Sequence, residues 1–508
     1  MESNRQRIAK NTMMLYIRML LIMVVSLYTS KLVLQALGAS DYGIYNVVGG
    51  IVASLSFFSG ALASANSRYI TFALGQNKLD ELKIVFKTLK TIQLFFAIII
   101  LFLSETIGLW FVCKQLVIPV ERLTVTIWIY HFSVISFVVS ILSVPYNAII
   151  ISYEKMSAFA YISIFEVLAK LLLVLTLTFL PWDKLFLYGL FLLIIQIAVR
   201  IIYMKYCKAK FPESKTGYGW NVEKGKEMLA YSGWCSYGHI AVVGYTHGLN
   251  ILLNLFFGPV VNAARAIAVQ VQGAIVGFCN NIQTAIDPQI IKSYASGNFS
   301  EMHKLMVLSS KLSYYIMFVL AVPIILNTNY ILHIWLGDVP GYTVPFVRIT
   351  LAIGVLSAVR DPVMCAIHAT GEIKKAHFIE GVLLLMIIPI SYIDLKFYNG
   401  TPLSVFYVYF LVELLTQTVR IYLILPKVGM SYLFYIREIV FPLICATSIS
   451  SLVFLLRVKD SDFVAFLWTT MFSLLYVIVI VYLFGLKKEE RSQILLYIKN
   501  KRNRLYES

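Results

Sequence analysis

The chain has 508 residues, of which 59% are hydrophobic, and a mean hydropathy of +0.79, which excludes an ordinary soluble domain. In a soluble protein, a formal charge of +17 would suggest a nucleic-acid partner. In a chain this apolar, the excess cations are instead expected in cytoplasmic loops. The composition therefore predicts an all-α membrane protein with no nucleic-acid partner.

Fourteen apolar stretches are long enough to cross a bilayer, which requires about 20 residues. We number them span 1 to span 14, at residues 11–37, 42–66, 85–111, 123–150, 157–180, 185–206, 228–257, 262–290, 305–330, 344–369, 375–397, 402–425, 434–456 and 462–485. Span 1 is too long for a signal-peptide core, and no cleavage site follows it, so we interpret it as an uncleaved span.

The distribution of Lys and Arg predicts how these spans are oriented. With the N-terminus inside, the outside segments carry only Lys114, Arg122, Lys184, Lys396, Arg457 and Lys459. Because loop cations concentrate on the cytoplasmic side, both termini are predicted to be cytoplasmic. The basic tail at 487–508 is expected to contact anionic membrane lipid.

The turn between spans 1 and 2 has a second copy 220 residues later. Gly38 corresponds to Gly258, and each glycine opens a tight turn between two apolar stretches. The same offset aligns Glu81 with Glu301. The two copies begin at corresponding spans that are separated by an even number of spans, so they have the same orientation in the membrane. The two halves are therefore predicted to be related by an axis along the membrane normal.

The repeat and the loop lengths predict the domain organisation. The longest internal break, Cys207 to Glu227, falls where a linker between two six-helix lobes is expected. The predicted order is an N-terminal lobe at 1–206 with spans 1–6, a linker at 207–227, a C-terminal lobe at 228–425 with spans 7–12, two additional helices at 426–486 and the tail at 487–508. Pro145 and Pro362 lie inside spans 4 and 10, where each predicts either a static kink or a hinge.

Three cations inside the spans are candidate substrate ligands, because an ionisable residue is costly within a bilayer. Arg18 is about 20 residues before Gly38, near the inner surface. Lys31 and Arg265 each lie seven residues from a glycine turn, which places both at a depth of roughly 10 Å. On an ideal helix Arg18 and Lys31 point about 140° apart, so both face one lumen only if span 1 bends.

Span 8 carries a polar stripe. On an ideal helix Arg265, Gln272, Gln283 and Asp287 fall within about 60° of one another, and Asn280 lies at the edge of this face. Such a stripe either packs against neighbouring helices or lines a water-filled cavity. Its length, with a charge at each end, favours the cavity.

Carboxylates inside the spans are candidates for ion coupling, although an interhelical ion pair is the favoured interpretation. Glu380 and Glu413 lie in spans 11 and 12, and Asp287 ends the stripe of span 8. Glu166 and Lys170 are four residues apart in span 5 and are expected to neutralise each other.

No cluster of residues predicts catalysis or metal binding. The cysteines are scattered and form no C-x-x-C motif, so neither disulfides nor a zinc site is indicated. The histidines His131, His239 and His247 are isolated and are interpreted as hydrogen-bonded packing groups. We therefore expect that the protein is not an enzyme and that it binds neither a metal nor a cofactor.

Two short segments resemble a known family. The first consists of Leu37-Gly38, Tyr42-Gly43 and Tyr45, and the second is Arg68-Tyr69-Ile70. They are similar to the L-G-x-x-x-Y-G-x-Y and R-[YF]-I segments around span 2 of the polysaccharide repeat-unit (O-antigen, Wzx-type) flippases. That family belongs to the multidrug/oligosaccharidyl-lipid/polysaccharide exporter superfamily. The position of the segments, the fourteen spans and the length extend the resemblance over the whole chain.

The resemblance implies a fold, a function and a location in the bacterial cytoplasmic (inner) membrane. It implies two six-helix bundles that form a V around a central cavity, with alternating access, and an undecaprenyl-pyrophosphate-linked oligosaccharide as substrate, for O-antigen, capsule or similar polysaccharides. Arg18, Lys31 and Arg265 occupy spans in which the related lipid II flippases have cavity cations. The implied protein is a monomer, with other polysaccharide-assembly proteins as further candidate partners. The coupling ion, H⁺ or Na⁺, stays open because little acidic chemistry is evident.

The candidate substrate-binding residues follow from this substrate. Buried cations replace the hydration of a pyrophosphate, and polar side chains offer a path to the sugar. The set is Arg18, Lys31, Arg68, Arg265, Gln272, Asn280 and Gln283. One alternative is a multidrug or cation exporter of the same fold, which calls for carboxylates in the cavity. Another is a membrane polymerase or glycosyltransferase, for which no outside loop is long enough.

Overall fold

The computed structural model describes residues 4–53, 55–114, 118–177, 179–455, 463–488 and 490–492. Helices make up 89% of the structure, and the described ranges contain no strand. The predicted all-α fold with two lobes is confirmed. Most of the basic tail, from residue 493 onward, lies outside the described residues.

The fourteen predicted spans are confirmed as apolar helices, within a few residues at each end. Within the described ranges, thirteen helices are long and apolar enough to cross a membrane, and a bent pair supplies span 2. In chain order they are Asn11–Gly38, Asp41–Val52 with Ser56–Gly75, Leu79–Lys114, Val120–Ser152, Met156–Leu177, Lys184–Lys210, Val222–Phe257, Val260–Ala295, Phe299–Leu326, Thr343–Thr370, Lys374–Phe397, Pro402–Val428, Tyr432–Leu455 and Phe463–Gly485. The two parts of span 2 meet at an angle of 48°.

The backbone repeats with the offset found in the sequence. Gly38 and Gly258 have φ values of +78° and +79°, which favour glycine, so both turns need this residue. Asn77 and Gly297 also differ by 220 and both have positive φ. Their turns are followed by helices that begin at Leu79 and Phe299, again 220 residues apart. The local geometry therefore supports the repeat, while the axis that relates its halves stays a prediction.

Pro145 and Pro362 mark breaks inside spans 4 and 10. Span 4 consists of Leu123–Ile141 and Val144–Ser152, and span 10 of Thr343–Ser357 and Arg360–Thr370. Each proline lies in the first turn of the second segment, where its missing N–H leaves no helical hydrogen bond unmade. The helices are therefore broken at both prolines, and the choice between a static kink and a hinge stays a prediction.

The described chain forms two compact units. Unit 1 comprises residues 1–243, 284–302 and 368–381, and unit 2 comprises 244–283, 303–367 and 382–508. Unit 1 therefore contains one end of each of spans 7 to 11 in addition to the whole first half of the chain. The division by chain order into lobes at 1–206 and 228–425 stays a prediction.

A network of charges joins three segments of unit 1. Arg122, before span 4, hydrogen-bonds both Asp41 and Asp183. Asp183 also accepts a hydrogen bond from the backbone N–H of Phe186 at 3.0 Å and so caps span 6. Burial opposes its charge, but these hydrogen bonds hold the pKa of Asp183 below its usual value.

The linker between spans 6 and 7 packs on the first half of the chain. The Thr91 hydroxyl donates to the Gly219 carbonyl at 2.9 Å and accepts from the Gly219 N–H at 3.0 Å. Lys90 hydrogen-bonds the carbonyl of Thr216. The linker is therefore an ordered part of unit 1.

Candidate substrate site

Arg265 is a buried cation of unit 2 whose hydrogen-bond partner is neutral. Arg265 lies in span 8 and is 5% exposed. Its Nη1 donates a hydrogen bond to Oδ1 of Asn250 in span 7. Asn250 precedes Gly258 by eight residues and Arg265 follows it by seven, so the hairpin brings both to one level. Among the residues that the structure describes, no carboxylate is within ion-pair distance of Arg265.

Two tyrosines complete the surroundings of Arg265. The hydroxyls of Tyr245 in span 7 and Tyr409 in span 12 lie 3.0 Å apart, and both rings are within electrostatic range of the guanidinium. Glu413 lies one helical turn beyond Tyr409, and its Oε1 accepts from Gln417 Nε2 at 3.4 Å. We call Arg265, Asn250, Tyr245, Tyr409 and Glu413 the Arg265 cluster.

The Arg265 guanidinium and the tyrosine hydroxyls of the Arg265 cluster are suited to an anion, whereas its carboxylate, Glu413, is suited to a cation. A guanidinium presents a fixed fork of N–H donors that matches the oxygens of a phosphate, and the neighbouring hydroxyls offer further donors. Burial of a cation without a carboxylate partner is costly, because the protein then replaces its hydration incompletely. A bound anion relieves that cost.

The polar stripe of span 8 has several different environments. Gln283 donates from Nε2 to Ser313 Oγ in span 9 at 3.3 Å, as the packing interpretation expects. Gln272 lies against span 10, where a Cβ added at Gly354 would be 2.9 Å from Nε2. Asn280 is exposed, and Asp287 is half-buried and belongs to unit 1. The stripe therefore combines interhelical contacts with open positions.

The two cations of span 1 also differ in their surroundings. Arg18 is half-buried, its guanidinium is 4.5 Å from the centroid of the Phe159 ring, and Nη1 is 3.5 Å from Ser163 Oγ. Both partners lie in span 5. Lys31 is exposed. This difference agrees with the divergent directions expected on a helix, and substrate binding by either residue stays a prediction.

Arg68 in unit 1 is a buried cation with a carboxylate counter-ion. Its Nη1 is 3.6 Å from Oε1 of Glu227, and its Nε donates to the His368 carbonyl at 3.2 Å. The guanidinium also lies 4.3 Å from the Tyr69 ring centroid and 5.3 Å from that of Tyr231. The predicted substrate contact of Arg68 stays untested, although its charge is matched within the protein.

The candidate coupling carboxylates are buried in different units. Glu380 is 6% exposed and belongs to unit 1, whereas Glu413 is 4% exposed and belongs to unit 2. The expected pairing of Glu166 with Lys170 is confirmed, at 2.6 Å. An ion-coupling role for Asp287, Glu380 or Glu413 remains a prediction.

Three members of the Arg265 cluster were not predicted from the sequence. Asn250, Tyr245 and Tyr409 are uncharged, and hydropathy alone does not distinguish them from packing residues. Their positions carried a signal, because Tyr409, Glu413 and Gln417 recur every four residues on one face of span 12. Asn250 also mirrors Arg265 across the Gly258 turn.

Comparisons with known proteins identify the fold. No protein-family model and no curated protein matches the chain. Solved structures do match. One is an outward-facing multidrug resistance MATE family transporter of the MOP superfamily, and another is a MATE in the straight conformation. Each has 12% identity to this chain and a TM-score of 0.71. A MOP superfamily transporter from Pyrococcus furiosus, described by the reverse polarity of its binding pocket, matches with 12% identity and a TM-score of 0.70. Each match covers 84% of this chain and 96% of the other. The chain is a multi-pass membrane protein with the fold of MOP superfamily transporters.

Proposed function

We propose that this protein is a flippase that moves undecaprenyl-pyrophosphate-linked oligosaccharide repeat units from the inner to the outer leaflet by alternating access. The proposal is based on the environment of Arg265, a buried guanidinium whose hydrogen-bond partner is a neutral amide. A lipid-linked pyrophosphate supplies the anion that this residue lacks. The proposed process is the synthesis of a surface polysaccharide such as O-antigen or capsule.

The proposed substrate has three parts with different requirements. Its pyrophosphate must be removed from water, which Arg265 and the Tyr245 and Tyr409 hydroxyls compensate with charge-assisted and neutral hydrogen bonds. Its sugars need polar partners, for which Gln272 and Asn280 are candidates. Its polyprenyl tail is apolar enough to stay in lipid throughout. Arg18 and Lys31 are further candidate ligands of the pyrophosphate. They differ from Arg265 in depth within the membrane or in the direction of the side chain.

The polarity of the pocket is the property that separates substrates within this fold. One matched structure is described as a MOP superfamily transporter whose reversed pocket polarity suggests a different function. An anionic substrate requires a cationic pocket, whereas a cationic drug requires carboxylates. Arg265 therefore supports the flippase more directly than the fold does.

A multidrug or cation exporter is the second candidate function. One matched structure is a multidrug resistance transporter, and buried Glu413 lies near the tyrosines of the Arg265 cluster. In that case Glu413 binds the cationic substrate and Arg265 is a structural group. The two functions differ in which of these residues the transported molecule contacts.

Deletion of the gene distinguishes the two functions. The flippase account expects lipid-linked repeat units to accumulate on the cytoplasmic face of the inner membrane, with unchanged efflux of a cationic dye. Restoration by the wild-type gene is the control. Reduced dye efflux without accumulation of lipid-linked units would support the exporter and contradict the flippase.

The proposed orientation has its own test. A reporter fused after Ser508, and one inserted at residues 207–227, should both report the cytoplasm because the cations concentrate on that side. A periplasmic signal from the insertion at 207–227 would contradict the orientation and the division into two six-span lobes.

A further inference from the structure

We propose that unit 1 holds a transition-metal site formed by Cys235, His368 and His377. These residues belong to spans 7, 10 and 11, so they come together only in the folded chain. One donor atom from each, the thiol sulfur and one ring nitrogen of each imidazole, lies within 4.8 Å of the other two. Cys235 and His377 are buried, and His368 is half-buried.

The chemistry of these donors selects a class of metal. Thiolate and imidazole ligands suit Zn²⁺ and related transition metals, whereas Mg²⁺ and Ca²⁺ prefer oxygen. A tetrahedral zinc ion with bonds of 2.0–2.3 Å holds its ligand atoms about 3.3–3.8 Å apart. Small rotations of the three side chains therefore suffice to close the cluster on an ion. Binding deprotonates the thiol and so releases one proton per ion.

The surroundings fix two of the ligands. The Tyr231 hydroxyl hydrogen-bonds Nδ1 of His368, and coordination through Nε2 leaves that hydrogen bond in place. Metal-bound histidines are commonly oriented by such a second partner. The His377 ring lies against Gly238, where an added Cβ would be 2.4 Å from Nδ1. Gly238 is one helical turn from Cys235, so the backbone of span 7 makes room for the imidazole beside the thiol.

Glu380 is the candidate for a fourth ligand. It follows His377 by three residues, so it projects from the same face of span 11, and it is within electrostatic range of His368. A carboxylate is an accepted zinc ligand, and water occupies the fourth position where a protein ligand is lacking. The ion then links one end of spans 7, 10 and 11, next to the His368 carbonyl that accepts from Arg68.

The test measures metal in the purified full-length protein, prepared without a polyhistidine tag. After incubation with ZnCl₂ and gel filtration, we expect about one zinc per chain by mass spectrometry. Cys235→Ser combined with His377→Gln should weaken zinc binding more than the ten- to hundredfold typical of losing an outer-shell partner. Cys207→Ser is the matched control, because Cys207 is also a buried thiol of unit 1 and donates to the Tyr146 carbonyl.

Two further variants separate coordination from loss of folding. Cys235→His keeps a ligand, so it should retain metal while Co²⁺-loaded protein loses the thiolate-to-metal charge-transfer absorption of the wild type. Gly238→Ala keeps all three ligands but displaces the His377 ring, so it should weaken zinc binding. Each variant must elute as a monodisperse species in the same detergent.

Two results would overturn the proposal. One is wild-type protein that holds no zinc after incubation at saturating metal. The other is a monodisperse Cys235→Ser/His377→Gln double variant with the zinc content of the wild type, which would place the metal elsewhere. Neither result bears on the flippase, because the measurement does not involve transport.

Discussion

Two buried arginines of this membrane protein have different kinds of partner. Arg68 in unit 1 is surrounded by a carboxylate, a backbone carbonyl and aromatic rings. Arg265 in unit 2 hydrogen-bonds the amide of Asn250, and its cluster also contains two tyrosines and Glu413. The first charge has a carboxylate partner within the protein, and under the proposed function the second is matched by the anion of the substrate. Under the proposed function, the presence or absence of a carboxylate partner, rather than burial, distinguishes the arginine that binds the substrate.

The largest effect on stability is expected from Arg68→Ala. The substitution removes the hydrogen bond to the His368 carbonyl and the contacts with the rings of Tyr69 and Tyr231, which together should cost about 2–4 kcal/mol. Thermal unfolding of the purified protein in detergent measures the loss.

Arg200→Ala is the matched control for this substitution. Arg200 is a half-buried arginine of unit 1 whose Nη1 donates to the Val139 carbonyl at 3.4 Å. We expect it to cost less than about 1 kcal/mol. If Arg68→Ala unfolds like this control but loses substrate binding, Arg68 is a ligand residue and the contrast between the two arginines is wrong.

Asn250→Asp gives Arg265 the kind of partner that Arg68 already has. The new carboxylate lies where the amide oxygen accepts from the guanidinium, so it competes with a substrate pyrophosphate. We expect roughly tenfold weaker binding of the anionic lipid, or about 1.4 kcal/mol, with the fold retained. Binding to protein in lipid nanodiscs is the measurement.

Asn399→Asp controls for the added charge. Asn399 is exposed in the turn after span 11, in the same unit as Arg265. It should leave lipid binding unchanged. Equal affinities of Asn250→Asp and wild type would mean that Arg265 does not hold the anion.

The smallest effect is expected from Glu227→Gln. The Glu227 side chain is 59% exposed, so solvent screens its attraction to Arg68, and an exposed ion pair contributes about 0–1 kcal/mol. Glutamine also keeps an acceptor for the Tyr69 hydroxyl, which now donates to Glu227 at 2.9 Å. The thermal unfolding midpoint should therefore move little, and less still in high salt. A loss comparable to that of Arg68→Ala would show that the carboxylate dominates the environment of Arg68.

Much of the fold followed from the sequence because it depends on local signals. The length of each apolar stretch predicts a span, and the glycines at 38 and 258 predict turns that indeed have positive φ. Pro145 and Pro362 predicted breaks in their helices for the same reason, since the missing N–H acts on the residue's own backbone.

The candidate sites were harder to predict because they join distant spans. Arg265 was identified by its cost in a bilayer, but Tyr245 and Tyr409, which hydrogen-bond each other in its cluster, are 164 residues apart. The cysteine spacing indicated no zinc site, because a motif such as C-x-x-C detects only ligands that are close in the chain. Cys235, His368 and His377 meet through helix packing, which hydropathy and spacing do not encode.

The most direct test of the account is the affinity of undecaprenyl pyrophosphate for Arg265 variants, measured in lipid nanodiscs. Arg265→Gln keeps hydrogen-bonding capacity but removes the charge, so binding should weaken about ten- to hundredfold, the equivalent of 1.5–3 kcal/mol for one charge-assisted contact. Arg265→Lys should be milder, because the charge survives although the fork is lost. Wild-type affinity in a correctly folded Arg265→Ala protein would contradict the account and leave Arg265 as a packing group.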